Sequence, residues 1–162
     1  MELKTMLVPV DGSDNAWRAV EVAADLAAKY QARVVLLSVL LQGEEVPPHI
    51  RKLSDLPDPD DPPVALGGAA VAGAVPPKVL HDIAKKLTEK ASEYFTERGV
   101  TDIERHVQDG SPARVILQQA EYHHADMIVM GARGLGNLKG LVSGSVSNKV
   151  QQLARCIVVT VN

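Results

Sequence analysis

The sequence predicts an α/β fold in which a five-stranded parallel sheet carries helices on both faces. Apolar residues make up 46% of the 162 residues but aromatic residues only 3%, so Val, Ile, Leu and Ala must fill the core. Short continuous apolar runs, typical of strands buried on both faces, alternate along the chain with segments of helical period. Right-handed crossovers between such strands then give a parallel sheet.

Five segments are expected to form strands. Continuous apolar runs at 6–10, 34–39, 127–130 and 157–161 predict four of them. The third strand in chain order, around 103–107, has a mixed pattern in which apolar residues alternate with Glu and His. Such a pattern is typical of a more exposed strand, so we expect it at an edge of the sheet.

Four segments are expected to form helices. The first begins after Ser13, a residue type favoured as an N-cap, and the second covers 80–95. The third begins at Ser111 and Pro112, an N-cap followed by a first-turn proline. The fourth covers 146–154, directly after a glycine-rich stretch.

A chain of this length fits one domain, so we expect residues 1–162 to form a single domain. Residues 43–77 interrupt the regular pattern, because they contain eight of the ten prolines, an acidic patch and a run of small residues. This composition predicts a long loop. The loop is either a linker without function or a lid or partner-binding segment beside the ligand crevice.

Charge and composition exclude several classes of protein. The net charge of −3 and the absence of a cluster of five or more basic residues argue against nucleic acid as the main partner. No run approaches the 18 apolar residues that a membrane span needs, and the N-terminus lacks the pattern of a signal peptide, so we expect a cytoplasmic protein. The single cysteine, Cys156, is expected in the core.

The histidines do not predict a metal site. His123 and His124 are adjacent, so on a helix they point away from one another. The remaining three, His49, His81 and His106, lie in unrelated parts of the sequence. No Ser, His and acid set can be assembled either, so we assign no catalytic residues and no metal-ligating residues.

The glycine-rich stretch "VMGARGLGNLKGLVSGSVSNKV", residues 129–150, is the candidate for ligand binding. Its spacing fits neither the dinucleotide-binding fingerprint nor a Walker A loop. It does fit G-x2-G-x9-G-S, with glycines at 131, 134 and 144. Glycines just past a strand end allow close backbone approach, and a helix N-terminus presents N–H groups to an anion. The pattern therefore favours a two-part phosphate site, although one of Ser145 and Ser147 could simply cap the helix.

This pattern resembles the ATP-binding branch of the universal stress protein family. The likeness covers nearly the whole chain, since "MLVPVDGSDNA", "ARVVLLSVL", "DGSPARVILQQA", "DMIVMGARG" and "GSVSNKVQQLARCIVVTV" occur in the family's order. It implies a Rossmann-like sheet, similar to that of the adenine nucleotide alpha hydrolases, with strand order 3-2-1-4-5. It also implies a bound adenine nucleotide, ATP with Mg2+, and a stress-response regulator with slow or no hydrolysis.

The resemblance assigns a role to each of eleven residues. Asp11 would bond the ribose hydroxyls or help hold a metal on the phosphates, although it could be only a turn residue. Val39 would offer main-chain groups to adenine, and Arg133 would reach the phosphates or stay exposed. The others would form the walls of the base site (Pro9, Val10, Met130), approach the ribose and phosphates (Gly131, Gly134) and hold the phosphate chain (Gly144, Ser145, Val146). The glycine pattern adds a twelfth residue, Ser147, whose hydroxyl, like that of Ser145, would bond phosphate oxygens.

The last strand is the candidate partner surface. In the order 3-2-1-4-5 it lies at an edge, and "CIVVTV" carries no charge that would prevent pairing with another chain. The resemblance implies antiparallel pairing of residues 157–161 with a second copy, which gives a homodimer. The alternative is that the chain itself covers this edge. Two alternatives stay open: an interaction module with a vestigial nucleotide site that binds an unidentified protein partner, and a nucleotide hydrolase.

Overall fold

The computed structural model describes residues 2–40, 77–134 and 144–162. Within them lie five strands: β1 (Thr5–Pro9), β2 (Arg33–Leu40), β3 (Ile103–Asp109), β4 (Met127–Gly131) and β5 (Ile157–Val161). Four helices connect them: α1 (Asp14–Tyr30), α2 (Pro77–Glu97), α3 (Pro112–Tyr122) and α4 (Ser145–Leu153). The predicted loop at 43–77 lies outside the described residues, except that Pro77 is the first residue of α2 rather than the last of the loop.

The sheet has the predicted architecture. Its order is β3-β2-β1-β4-β5, and each of the four neighbouring pairs is parallel. The strand at 103–109 lies at one edge, as its mixed pattern predicted, and the strand at 157–161 lies at the other. A sheet in which the order reverses beside β1 has a topological switch point, where ligands bind beyond the carboxyl ends of the strands.

Two apolar clusters cover the two faces of the sheet. On one face α1 and α2 pack over β1 and β2, and Phe95 and Met6 are fully buried there. On the other face α3 and α4 pack over Leu7, Val35 and Leu37, which are fully buried too. Alternate residues of each strand enter opposite clusters because side chains in a strand alternate between faces. This explains the continuous apolar runs of the other four strands, in contrast to the mixed pattern of β3.

The helix boundaries follow local signals in the sequence. The Ser13 hydroxyl accepts a hydrogen bond from the Ala16 N–H at 3.2 Å, so Ser13 is the N-cap of α1 as expected. Gly99 follows α2 with φ of +82°, a conformation that glycine adopts without strain. Ser111 stands at the N-cap position of α3 without a side-chain capping bond, and Pro112 is the first helical residue.

Cys156 packs at the margin of the α3–α4 cluster and is only partly buried. Burial raises the pKa of its thiol, so the thiolate form is disfavoured. Within the ranges that the structure describes, we find no helix with both the length and the apolar character needed to cross a bilayer.

Candidate functional site

The sheet opens between β1 and β4 at their carboxyl ends. On either side of β1, the Val10 N–H donates to the Leu37 carbonyl at 2.8 Å and the Lys4 carbonyl accepts from the Arg33 N–H. The even-numbered residues between them therefore direct their backbone groups to β2. The odd-numbered residues face β4, where pairing stops at Leu7 and Ile128. The next bond of that ladder would need an N–H at residue 9, and proline has none.

The two strands then follow different partners. Pro9 continues to pair with Leu37 of β2, whereas β4 continues beside β5 as far as the pair Gly131 and Val161. The opening therefore lies at the switch point of the sheet, between the segments 9–13 and 129–134. These segments hold most of the residues to which the sequence assigned a binding role.

Asp11 begins a tight turn directly after β1. Its Oδ1 accepts hydrogen bonds from the Ser13 N–H at 3.0 Å and the Ser13 hydroxyl at 2.7 Å. Gly12 between them has φ of +84°, which explains glycine at that position. The turn role of Asp11 is therefore present in the structure, and it occupies one of the two carboxylate oxygens.

The other oxygen of Asp11 lies against Gly134. A Cβ atom placed on Gly134 would fall 2.5 Å from Asp11 Oδ2, so the backbone that follows β4 passes directly beside this carboxylate. Among the described residues Oδ2 receives no hydrogen bond. Asp11 thus presents one acceptor oxygen at the opening, held in place through the other.

Gly131 has a packing role that the sequence analysis missed. A Cβ atom there would come within 2.9 Å of the Asn15 carbonyl carbon and 3.0 Å of the Ala16 nitrogen, both backbone atoms of the first turn of α1. Only glycine lets the end of β4 approach the helix this closely. The same residue therefore serves helix packing and leaves the backbone accessible at the opening.

The carbonyl of Ala132 connects β4 to the start of α4. It accepts the Gly144 N–H at 2.7 Å and the Ser147 hydroxyl at 2.6 Å. The expectation that Gly144 offers a free N–H at the helix start is therefore wrong, and the buried Ser147 directs its proton inward. Nothing in the sequence distinguishes Ala132, because it contributes its backbone carbonyl and not its side chain.

The N-terminus of α4 consequently lies beside the end of β4. Gly144 is the N-cap, and as glycine it has no side chain that could cap the helix. Ser145 and Val146 are the first two helical residues, whose N–H groups have no acceptor within the helix. The exposed Ser145 and the half-buried Val146 place these groups at the same edge of the sheet as Asp11.

The remaining predicted residues flank the opening. Val10 and Met130 are buried, with 2% and 5% of their surface exposed, while Pro9 and Val39 are half-buried. Val39 lies two residues beyond the last β1–β2 pair, at the carboxyl end of β2. Leu37 directs its carbonyl to Val10, so the backbone groups of Val39, two residues further on, face the same side of β2, beyond the end of its pairing with β1. Arg133 is exposed, and no described acidic side chain pairs with it. Gly136 and Gly140, which lie between Gly134 and Gly144 in the sequence, are outside the described residues.

A second polar cluster lies at the β3 edge of the sheet, and the sequence analysis missed it. No pattern in the sequence brings His106 and His123 together, but their ring centroids are 4.9 Å apart. Glu104 lies beside them, with one carboxylate oxygen 2.7 Å from His106 Nε2. The register of β3 against β2 and the end of α3 create this cluster, and neither can be read from local sequence.

Comparisons of the fold show that this architecture is shared by solved structures. The universal stress protein UspA from Lactobacillus plantarum superposes with a TM-score of 0.73 at 22% identity, over 100% of this chain and 99% of that chain. The universal stress protein from Archaeoglobus fulgidus in complex with dAMP superposes with a TM-score of 0.64 at 21% identity, over 100% of each chain.

Comparisons of sequence show the family. The model of the universal stress protein family matches residues 2–162. The universal stress protein YxiE of Bacillus subtilis is 34% identical over 159 residues, and the match covers 96% of this chain and 97% of that protein. The chain belongs to the universal stress protein family.

Proposed function

We propose that this chain is a nucleotide-binding regulator that holds ATP, with Mg2+, at the opening between β1 and β4. The observation that carries the proposal is the contact of Asp11 Oδ2 with the backbone at Gly134, beside the N-terminus of α4. A carboxylate oxygen only accepts hydrogen bonds, and a helix N-terminus only donates them. The opening therefore offers complementary partners to the two polar parts of a nucleotide.

These two groups also orient the ligand. The ribose hydroxyls are donors that suit Asp11 Oδ2, while the phosphate oxygens are acceptors that suit the N–H groups of Ser145 and Val146. A cation on the phosphates would remove the repulsion between them and the Asp11 carboxylate, which is the reason for including Mg2+. The buried Val10 and Met130 would provide apolar contact to the base. The fold shared with a family member that binds dAMP supports the choice of an adenine nucleotide.

Two of the assigned residues act differently in this proposal from what the motif suggests. Gly144 and Ser147 both bond the Ala132 carbonyl, so they hold the start of α4 against β4 rather than donate to the phosphates. Ser145, which is exposed, remains the hydroxyl that contacts a phosphate oxygen. Arg133 carries the positive charge of the site and contacts the outer phosphates.

Slow or absent hydrolysis is part of the proposal. In the segments 9–13 and 129–134, which border the opening, Asp11 is the single acid and there is no histidine, and the Asp11 carboxylate already accepts hydrogen bonds from Ser13. These segments therefore offer no separate base that would activate water. A cytoplasmic location and a homodimer formed through β5 complete the proposal. The β5 edge supports the dimer because no strand of the described residues pairs with its outer side and its side chains are uncharged.

The test is to identify the nucleotide and to measure its binding. We expect denaturation of the freshly purified protein to release an adenine nucleotide, which mass spectrometry identifies. Calorimetry should show that ATP binds more tightly with Mg2+ than without it. Asp11→Asn keeps the shape of the side chain and removes its charge, so it should weaken the Mg2+-dependent part of binding at least tenfold, about 1.4 kcal/mol.

Asp14→Asn is the matched control, because Asp14 is an exposed acid in the first turn of α1. Equal affinities of the Asp11→Asn and Asp14→Asn variants would show that the site lies elsewhere. Failure of the wild-type protein to bind any adenine nucleotide would overturn the proposal. Rapid release of phosphate from ATP would replace the regulator with a hydrolase.

A further inference from the structure

Three potential metal ligands meet at the β3 edge of the sheet. Glu104 and His106 are two residues apart on β3, so their side chains project from the same face of the strand. That face is the one on which α3 packs, because their partners on β2 are Val35 and Leu37, whose side chains lie in the α3–α4 cluster. His123 caps the C-terminus of α3. One ligand atom from each of the three residues lies within 4.8 Å of the other two.

A neighbouring side chain orients the imidazole of His123, whose Nε2 is 3.2 Å from Gln119 Oε1. His106 Nε2 is 2.7 Å from Glu104 Oε1, a hydrogen bond that an ion bound by both residues would replace. An amide oxygen only accepts, so His123 Nε2 carries the proton and its Nδ1 keeps a lone pair. Metal-binding histidines characteristically donate a hydrogen bond from the N–H of their second ring nitrogen to such a partner, which selects the tautomer and the ring orientation.

The three residues differ in burial. His123 is only 8% exposed, and burial lowers the pKa of its imidazole despite the opposing charge of Glu104. Burial opposes ionisation of Glu104, but the hydrogen bonds of His106 and Arg33 outweigh it and lower the pKa of the carboxyl. Metals bind the neutral form of imidazole and the charged form of a carboxyl group, so both shifts are in the direction that suits a cation.

Arg33 is the group that opposes a cation here. Its guanidinium contacts Glu104 Oε2, and its Nε lies 3.8 Å from Asp102 Oδ1. The contact with Arg33 uses one oxygen of Glu104 and leaves Oε1 on the side of His106. The charge of Arg33 therefore lowers the affinity of the cluster for a cation without occupying the oxygen that would bind it.

We propose that Glu104, His106 and His123 bind one divalent transition-metal ion, Zn2+ above all, at the β3 edge of the sheet. Two imidazoles and a carboxylate are a ligand set that Zn2+ accepts with a water molecule in the fourth position. The site shares no residue with the opening between β1 and β4, so it is independent of the proposed nucleotide function. Its three ligands come from two elements, so bound metal ties the end of α3 to the edge strand.

The experiment titrates the metal-stripped full-length protein with Zn2+ by calorimetry and with Co2+ by visible absorption. We expect one Zn2+ per chain and the d–d bands of four-coordinate Co2+ with nitrogen and oxygen ligands. His106→Gln and His123→Gln should each weaken Zn2+ binding at least tenfold. His81→Gln is the matched control, because His81 is exposed on α2.

Arg33→Gln gives a test that does not depend on loss of function. Removal of the positive charge of Arg33 should tighten Zn2+ binding several-fold, an effect that a damaged fold does not produce. If the variant of the buried His123 fails to fold, His106→Gln still tests the site, because His106 is only half-buried. Failure of the wild type to bind Zn2+, or equal affinity of the His106→Gln and His81→Gln variants, overturns the site.

Discussion

The carboxylate of Asp11 lies directly against the backbone of Gly134, more than a hundred residues further along the chain. A Cβ atom on Gly134 would be 2.5 Å from Asp11 Oδ2, while Oδ1 accepts two hydrogen bonds from Ser13. The turn after β1 and the turn after β4 are therefore in contact at the switch point of the sheet. Each can be perturbed separately, which makes the contact a test of the proposed site.

Gly134→Ala should weaken nucleotide binding without unfolding the protein. The new methyl group meets a side chain rather than backbone, so Asp11 must turn away and weaken its hydrogen bonds to Ser13. We expect the free energy of unfolding to fall by about 1 kcal/mol. Calorimetry with ATP and Mg2+ should show about a tenfold loss of affinity. A double-mutant cycle with Asp11→Asn should give a coupling energy of about 0.5 kcal/mol or more, and strictly additive losses would show that the two residues act separately.

Gly131→Ala should destabilise the fold itself. Its Cβ atom would clash with backbone atoms of Asn15 and Ala16, which cannot rotate away, so α1 must shift. Overpacking of this kind costs about 1–3 kcal/mol, measurable as a lower urea midpoint. Gly144→Ala is the comparison, because its nearest neighbour is the Ala132 carbonyl at 3.3 Å, and we expect a smaller loss of stability. A larger loss of stability in Gly144→Ala than in Gly131→Ala would contradict the packing role of Gly131.

Ser147→Ala and Ser145→Ala should separate positioning from contact with the ligand. Ser147 is buried and donates to the Ala132 carbonyl at 2.6 Å, so its replacement should cost about 1 kcal/mol of stability. Ser145 is exposed, so Ser145→Ala should leave the urea midpoint unchanged and weaken ATP binding several-fold. Chemical denaturation and calorimetry on both variants check the pair. Loss of stability in the Ser145 variant alone would reverse the two roles.

Thr160→Pro should convert the proposed dimer into a monomer. Ile157 donates to the Asp126 carbonyl and Val161 accepts from Ala132, so the odd-numbered residues of β5 bond β4. The backbone of Thr160 therefore faces outward, and proline there removes an edge N–H without breaking the ladder to β4. Light scattering at micromolar concentration should give half the wild-type mass.

Thr160→Val is the control for that variant, because it also loses the hydroxyl that accepts from Gln151 but keeps the N–H. It should remain a dimer. A monomeric wild-type protein would refute pairing through β5, and a dimeric Thr160→Pro variant would place the interface on another surface.

The sequence by itself determined the class of fold and much of the candidate site. Continuous apolar runs and helical periods depend on local physical chemistry, so the five strands and four helices of the described ranges could be predicted close to their observed bounds. The mixed pattern at 103–107 identified an edge strand, and the spacing of Gly131, Gly134 and Gly144 identified the stretch that joins β4 to α4. Serine and proline at helix starts are local signals as well.

Only the tertiary structure decided how distant groups meet. The opening at Pro9 depends on which neighbour each backbone group faces, and the bonds of Gly144 and Ser147 depend on the position of the Ala132 carbonyl. The meeting of His106 with His123 depends on strand register and on where α3 ends. These features arise from contacts between residues far apart in the chain, and local composition and periodicity carry no information about such pairs.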